Sequence, residues 1–139
     1  MAKKQKPKNQ HERTRVDHAT EIAEDYVEAI AEIIEEQDVC RVKDLAEYFA
    51  VSHVTVNRTV ARLQRDGYAT TEPYSPVELT SKGAKLAKHS RHRHEIVLRF
   101  LVAHGVSEET AATDTEGIEH HVSPETLNIM EAFISKAHR

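Results

Sequence analysis

Metal-binding side chains are concentrated in one short stretch of the sequence, DTEGIEHH, at residues 114–121. This stretch of eight residues holds three carboxylates and two imidazoles. If it is helical, Glu116, Glu119 and His120 stand at positions i, i+3 and i+4 and project from one helix face. Three such groups can form half of a metal site, the acid and base of an enzyme, or a solvated helix surface.

Two other segments offer ligands of the same chemical kind. Asp25 and Glu28 lie on the flank of one predicted helix, and His94 lies along one side of another. Taken singly, acids near a helix start favour the helix dipole, and a lone histidine is more often a hydrogen-bonded core residue. The coincidence of three segments with oxygen or imidazole donors favours a metal site. A donor set without sulfur suits Mn²⁺ or Fe²⁺ better than Cu(I) or structural zinc.

The first segment is predicted to be a helix from Asp17 or Thr20 to about Gln37, because its apolar residues recur at helical spacing. That stripe consists of Ile22, Tyr26, Ile30, Ile33 and Ile34. Residues 1–17 before it are rich in lysine and glutamine and have almost nothing to bury. We therefore expect them to form a disordered basic arm.

Residues 42–68 predict a helix-turn-helix. A short apolar helix is followed by a second helix that Ser52 caps and Gly67 terminates. The second helix presents polar and basic side chains outward, as a helix that enters the major groove of DNA does. The candidate DNA-binding residues are Ser52, His53, Thr55, Asn57, Arg58 and Arg62.

The segment at 68–80 is typical of two short strands around a proline-containing turn, which completes a winged helix. The remaining chain is predicted to be all-helical, with a long helix from Thr80 or Ser81 to about His104. The expected fold is therefore mainly α: a winged helix-turn-helix with a small β-hairpin wing over residues 18–80, then a helical domain over 81–139.

Charge is strongly segregated along the chain although the formal net charge is only −4. The winged-helix region and the helix after it, residues 40–93, carry a balance of +5, whereas residues 18–39 carry −8 and residues 105–139 carry −5. A basic middle favours a polyanion as partner, and acidic ends favour cations. The single cysteine, Cys40, excludes an internal disulfide framework and suits a reducing cytoplasm. No membrane span or secretory signal is expected, so the predicted location is the cytoplasm.

The span from about residue 18 to 139 resembles the manganese-dependent transcriptional regulators within the diphtheria-toxin-repressor family. The resemblance rests on DYVE at 25–28, the winged helix, RHE at 93–95 and EGIEHH at 116–121, in that order and with family-like spacing. It implies a homodimer formed through the helical C-terminal half. It also implies that one metal ion, or a close pair, is bound by Asp25, Glu28, His94, Glu116, Glu119 and His120.

The iron-sensing branch of that family resembles this chain less. It places a sulfur residue where Asp25 stands and a cysteine where Glu116 stands, whereas both are hard oxygen donors here. This difference favours manganese. We therefore expect one or two Mn²⁺ per subunit, with Fe²⁺ as a second candidate.

Three functional hypotheses are open from the sequence. The first is a Mn²⁺-activated repressor of manganese uptake genes, a homodimer without a small-molecule substrate, whose partner is a double-stranded DNA operator. The second is a helical metalloenzyme, although di-iron bundles use a pair of Glu-x-x-His motifs and this chain has none. The third is a winged helix that contacts proteins independently of metal. The sequence favours the first, and thus a protein that is not an enzyme.

Overall fold

The computed structural model describes residues 10–137 of the chain and the side chains of residues 18–136. Helix α1 spans Gln10–Gln37 and therefore begins earlier than the sequence predicted. The expectation of a disordered arm is corrected for residues 10–17, which contain neither glycine nor proline and extend an existing helix at little cost. The rest of the expected arm, residues 1–9, lies outside the described residues.

The apolar stripe predicted for α1 is confirmed and is wider than expected. Three of its members are buried, and Ile22 and Ile34 are partly buried against the same core. The buried residues of α1 that form this core are Tyr26, Val27, Ala29, Ile30 and Ile33. Because this face packs on the helix-turn-helix, α1 is part of the winged-helix unit.

The helix-turn-helix consists of α2 (Val42–Phe49) and α3 (His53–Arg65). Ala50 ends α2 in the left-handed conformation with φ 54°, and Ser52 caps α3 by accepting a hydrogen bond of 3.1 Å from the Thr55 backbone N–H. The inner faces of the two helices carry the buried side chains Leu45, Ala46, Val56, Val60 and Leu63. Burial of one face leaves the polar face of α3 exposed.

The wing is a two-stranded antiparallel hairpin of β1 (Ala69–Thr70) and β2 (Glu78–Leu79). Gly67, with φ 83°, makes the turn from α3 into β1, as its predicted role at the helix end requires. The Val77 N–H donates a hydrogen bond of 2.7 Å to the Cys40 carbonyl, which ties the wing to the connection between α1 and α2. The predicted winged helix is confirmed.

Three helices follow the wing, as predicted: α4 (Ser81–Ala103), α5 (Glu108–Ile118) and α6 (Pro124–Ala137). Helix α4 packs against α1, α5 and α6, so it connects the winged helix to the C-terminal helices. Ser123 caps α6 by accepting a hydrogen bond of 3.2 Å from the Thr126 N–H. Within residues 10–137, none of the helices has both the length and the apolar character that a membrane crossing needs.

Candidate metal centre

Carboxylate and imidazole groups from the two halves of the molecule meet beside α1. One ligand atom each from Asp25, Glu119 and His120 lies within 4.8 Å of the others. The His120 Nε2 atom is 3.2 Å from Asp25 Oδ1 and 3.4 Å from Glu119 Oε1. Glu119 and His120 are buried, with 2% and 9% of their surface exposed, so this is not a solvated helix surface.

His94 of α4 joins the same group through Glu119. Its Nδ1 atom is 2.5 Å from Glu119 Oε2, and one third of its side chain is exposed. The three segments singled out in the sequence therefore meet in space, and each brings an oxygen or nitrogen donor. Sequence periodicity could not predict this contact, because α1, α4 and the end of α5 are far apart along the chain.

Glu28 lies one turn after Asp25 on α1, and its Oε1 atom is buried without a hydrogen-bond partner among the residues that the structure describes. Burial raises the pKa of Glu28, and its negative charge in turn raises the pKa of Glu119. A buried carboxylate oxygen without a donor is costly unless a cation or water satisfies it. The donor set and this orphaned oxygen therefore fit a divalent metal ion.

Glu116, the sixth expected ligand, lies near the end of α5. Helix α5 ends at Ile118, and Glu119 caps it with helical dihedrals and donates its backbone N–H to the Thr115 carbonyl. Glu116 is exposed, and its charge acts with that of Glu28 on Tyr48 of α2, whose pKa rises to about 12 mainly through burial. The helical spacing of Glu116 and Glu119 is therefore kept, whereas His120 lies beyond the helix cap.

The protonation of the buried groups follows from their partners. Hydrogen bonds that its ring donates to Asp25 and then to Glu24 raise the pKa of His120 to about 10. Desolvation by burial raises the pKa of Glu119, although the adjacent His94 acts in the opposite direction. Without metal, the site is held together by ion pairs in which His120 carries a positive charge.

Sequence reasoning missed two residues of this network, Glu24 and Arg93. Glu24 is 4% exposed, and its Oε2 atom lies 2.5 Å from His120 Nδ1 and 2.7 Å from an Arg93 guanidinium nitrogen. Burial disfavours its charge, yet the bonds from His120 and Arg93 outweigh that effect and lower the pKa of Glu24. A signal was present, since Glu24 follows the helical spacing of the core residues in α1, where an acid needs a partner.

The expected DNA-binding residues are all exposed, and they lie at the start of α3 and along its outer face. His53 and Asn57 line a groove between α3 and the wing, together with Arg41 and Lys43 from the start of α2. Arg58 and Arg62 lie further along the helix beside Ile22 of α1. Sequence reasoning did not select the two basic residues of α2, because it considered only the second helix.

Two family models together match most of the chain. Residues 18–77 match the N-terminal DNA binding domain of iron dependent repressors. Residues 80–139 match their metal binding and dimerisation domain.

Similar proteins of known name are transcriptional regulators. The Transcriptional regulator MntR of Escherichia coli O6:H1 is 44% identical over 119 residues, which is 86% of this chain and 77% of the relative. The HTH-type transcriptional regulator MntR of Bacillus subtilis strain 168 is 46% identical over 100 residues, which is 72% of this chain and 70% of the relative.

The fold is similar to those of solved manganese regulators. A manganese-dependent transcriptional repressor in complex with manganese superposes with a TM-score of 0.73 at 29% identity, and the manganese regulator SloR with 0.71 at 26%. Each match covers 81% of this chain, which spans only about half the length of either structure, at 52% and 53%. The two matched domains and the identity to the named regulators show that this protein belongs to the iron dependent repressor family.

Proposed function

We propose that this protein is a Mn²⁺-activated repressor that binds operator DNA as a homodimer and controls manganese uptake genes. The observation that carries the proposal is the meeting of Asp25 with Glu119 and His120, because it joins the winged helix to the C-terminal helices through metal-binding groups. The manganese dependence of the solved relatives and the names of the sequence relatives support this choice of function.

The proposed ligands are the six residues that the resemblance implied: Asp25, Glu28, His94, Glu116, Glu119 and His120. Four are carboxylates and two are imidazoles, and the single thiol in the chain, Cys40, is buried elsewhere in the core. Hard donors of this kind suit Mn²⁺, with Fe²⁺ as second candidate, in one or two sites per subunit. A bound divalent cation would neutralise negative charge on the four neighbouring carboxylates.

The ligand positions explain how metal binding can change the position of the DNA-binding helix. Asp25 and Glu28 stand on α1, and Tyr26 between them stacks on Phe49 of α2 with ring centroids 4.4 Å apart. A shift of α1 relative to α4 and α5 therefore moves the helix-turn-helix. In a dimer this motion changes the separation of two recognition helices, and half-sites ~34 Å apart accept only a narrow range of separations.

We assign operator contacts to Ser52, His53, Thr55, Asn57, Arg58 and Arg62, supported by their exposure on α3. Arg41 and Lys43 border the groove between α3 and the wing, where they would bind backbone phosphates. We also propose domain limits at residues 18–80 and 81–139, supported by the two family matches. A cytoplasmic location follows from a function on DNA.

The proposed dimer uses the C-terminal half, which matches a dimerisation domain. Apolar side chains of α6 support this assignment, since Ile129 is 64% and Phe133 is 42% exposed. The alternative of a metalloenzyme finds no support in the comparisons, because the family consists of transcriptional repressors.

Fluorescence anisotropy tests the proposal with a labelled duplex selected from a randomised pool by the protein in Mn²⁺. Titrations with and without Mn²⁺, at fixed ionic strength, are expected to differ in affinity by at least about tenfold. Mg²⁺ at the same concentration is the control for simple screening by a divalent ion. Equal affinity in all three conditions would contradict the proposal.

A further inference from the structure

We propose that Glu24 is a positioning residue that presents the Nε2 atom of His120 to the bound metal. The inference rests on the proposed function, since it takes His120 as a ligand. The observation behind it is that the two ring nitrogens of His120 face different carboxylates. Its Nδ1 atom lies 2.5 Å from Glu24 Oε2, and its Nε2 atom lies 3.2 Å from Asp25 Oδ1.

The hydrogen bond to Glu24 decides which nitrogen can bind a cation. A neutral imidazole keeps one N–H, and a carboxylate held against Nδ1 keeps the proton there. The lone pair then belongs to Nε2, which lies among the oxygens of Asp25 and Glu119. A ligand histidine whose second nitrogen donates to a carboxylate is held in orientation and made more basic.

Arg93 holds Glu24 in place for this role. One guanidinium nitrogen lies 2.7 Å from Glu24 Oε2, the same oxygen that accepts from His120. The side chain of Glu24 is 5% exposed and that of His120 is 3%, so water does not compete freely for these contacts. Both partners fix the rotamer of Glu24, and Glu24 in turn fixes the plane of the ring.

Glu24 is not itself a ligand of the same cation. The two nitrogens of an imidazole point away from each other, and Glu24 occupies the Nδ1 side whereas Asp25 occupies the Nε2 side. Each of the two supporting residues stands next to a proposed ligand: Glu24 precedes Asp25 on α1, and Arg93 precedes His94 on α4. Metal ligands and positioning residues thus bridge the same three elements.

The test compares Mn²⁺ binding by the full chain and its Glu24→Ala and Glu24→Gln variants, measured by calorimetry without DNA. Loss of the acceptor in Glu24→Ala is expected to weaken Mn²⁺ binding by about 10- to 100-fold. The amide oxygen in Glu24→Gln can still accept from both partners, so most of the affinity should return, to within about threefold of the parent. Glu21→Gln is the matched control, since Glu21 stands one turn earlier on α1 and pairs with the exposed His121. We expect the Mn²⁺ affinity of this variant to equal that of the parent.

A spectroscopic measurement separates positioning from a general loss of packing. In protein loaded with diamagnetic Zn²⁺, the proton on Nδ1 of His120 should give a slowly exchanging low-field NMR signal. We expect it in the parent and in Glu24→Gln and not in Glu24→Ala, while circular dichroism shows all three folded.

Parent-like Mn²⁺ affinity of Glu24→Ala would overturn the inference, as would a Glu24→Gln variant as weak as Glu24→Ala. A parent that binds Mn²⁺ but shows no metal effect on DNA binding would contradict the proposed function alone, because the variants would still decide the role of Glu24. A parent that binds no Mn²⁺ would overturn both.

Discussion

Charge in the metal centre is out of balance without a cation. Four carboxylates, those of Glu24, Asp25, Glu28 and Glu119, lie in or beside the cluster. Against them stand the guanidinium of Arg93 and the protonated ring of His120, which is 3% exposed. If all four carboxylates are ionised, two negative charges remain, which one divalent cation neutralises.

Binding of Mn²⁺ should release a proton from His120. The pKa of this residue is raised to about 10, so near neutral pH both ring nitrogens carry protons in the metal-free protein. A metal needs the lone pair of Nε2, so one proton leaves. Affinity therefore rises as pH rises from neutral towards about 10 and falls on acidification.

Calorimetry in phosphate and in Tris, whose ionisation enthalpies differ, measures this release. The difference between the binding enthalpies in the two buffers is expected to correspond to the release of about one proton per bound ion. Identical heats in the two buffers would show that His120 is not a ligand or is already neutral. The His121→Ala variant should keep the full difference, because its ring contacts Glu21 outside the cluster.

Removal of His94 should abolish the response to manganese and leave the fold intact. The ring contacts Glu119 directly, but a third of it is exposed, so His94→Ala removes a ligand without opening the core. We expect DNA binding that no longer changes with added Mn²⁺. The control is His89→Ala, on an exposed position of the same helix. A surviving response in His94→Ala would show that the metal lies elsewhere.

On the recognition helix α3, Arg58→Ala should weaken operator binding by about 1–3 kcal/mol if the side chain reads a base. A role at the phosphates predicts a smaller, sequence-independent loss and a salt-dependence slope lower by about one. Anisotropy titrations on matched and mismatched duplexes distinguish the two. Arg99→Ala, exposed on α4, should bind like the parent. Unchanged binding by Arg58→Ala would remove this residue from the interface.

The contact of α4 with the wing depends on Gly83. A Cβ atom at this position would lie 1.9 Å from the Tyr68 carbonyl oxygen, so Gly83→Ala forces the wing and the start of α4 apart. We expect a loss of about 1–3 kcal/mol in the free energy of unfolding, measured on the metal-free protein. Gly117→Ala is the control, because nothing lies within 4 Å of its Cβ, and alanine there should be neutral or stabilising. Equal melting temperatures for both variants would contradict the tight packing at Gly83.

Helices and the wing were predictable from the sequence because each carries a local signal. Ser52 caps α3 and Gly67 ends it with positive φ, as expected, and Ser107 and Gly105 play the same parts at α5 and α4. Two features lacked such a signal. The start of α1 at Gln10 lies within a polar segment that has no apolar periodicity, and the buried pairing of Glu24 depends on residues far along the chain.

At the scale of the molecule, α4 is the element through which metal and DNA sites can influence each other. It packs against α1, α5 and α6, and it carries both His94 and Arg93. Residues 81–93 in its first half carry five Lys and Arg and no acid, whereas residues 105–139 carry a balance of −5. We therefore expect movement of α1 against α4 to link the two sites.

If both sites favour one arrangement of α1 and α4, DNA must tighten metal binding by the same factor by which metal tightens DNA binding. Calorimetric titration of Mn²⁺ into the protein, with and without a saturating duplex, measures the first factor. Anisotropy measures the second, and we expect equal factors of about 5–150. The His94→Ala variant should bring both factors to one. A DNA effect on Mn²⁺ affinity without the reverse effect would violate the thermodynamic cycle, and no coupling in either direction would show that α1 does not move with metal.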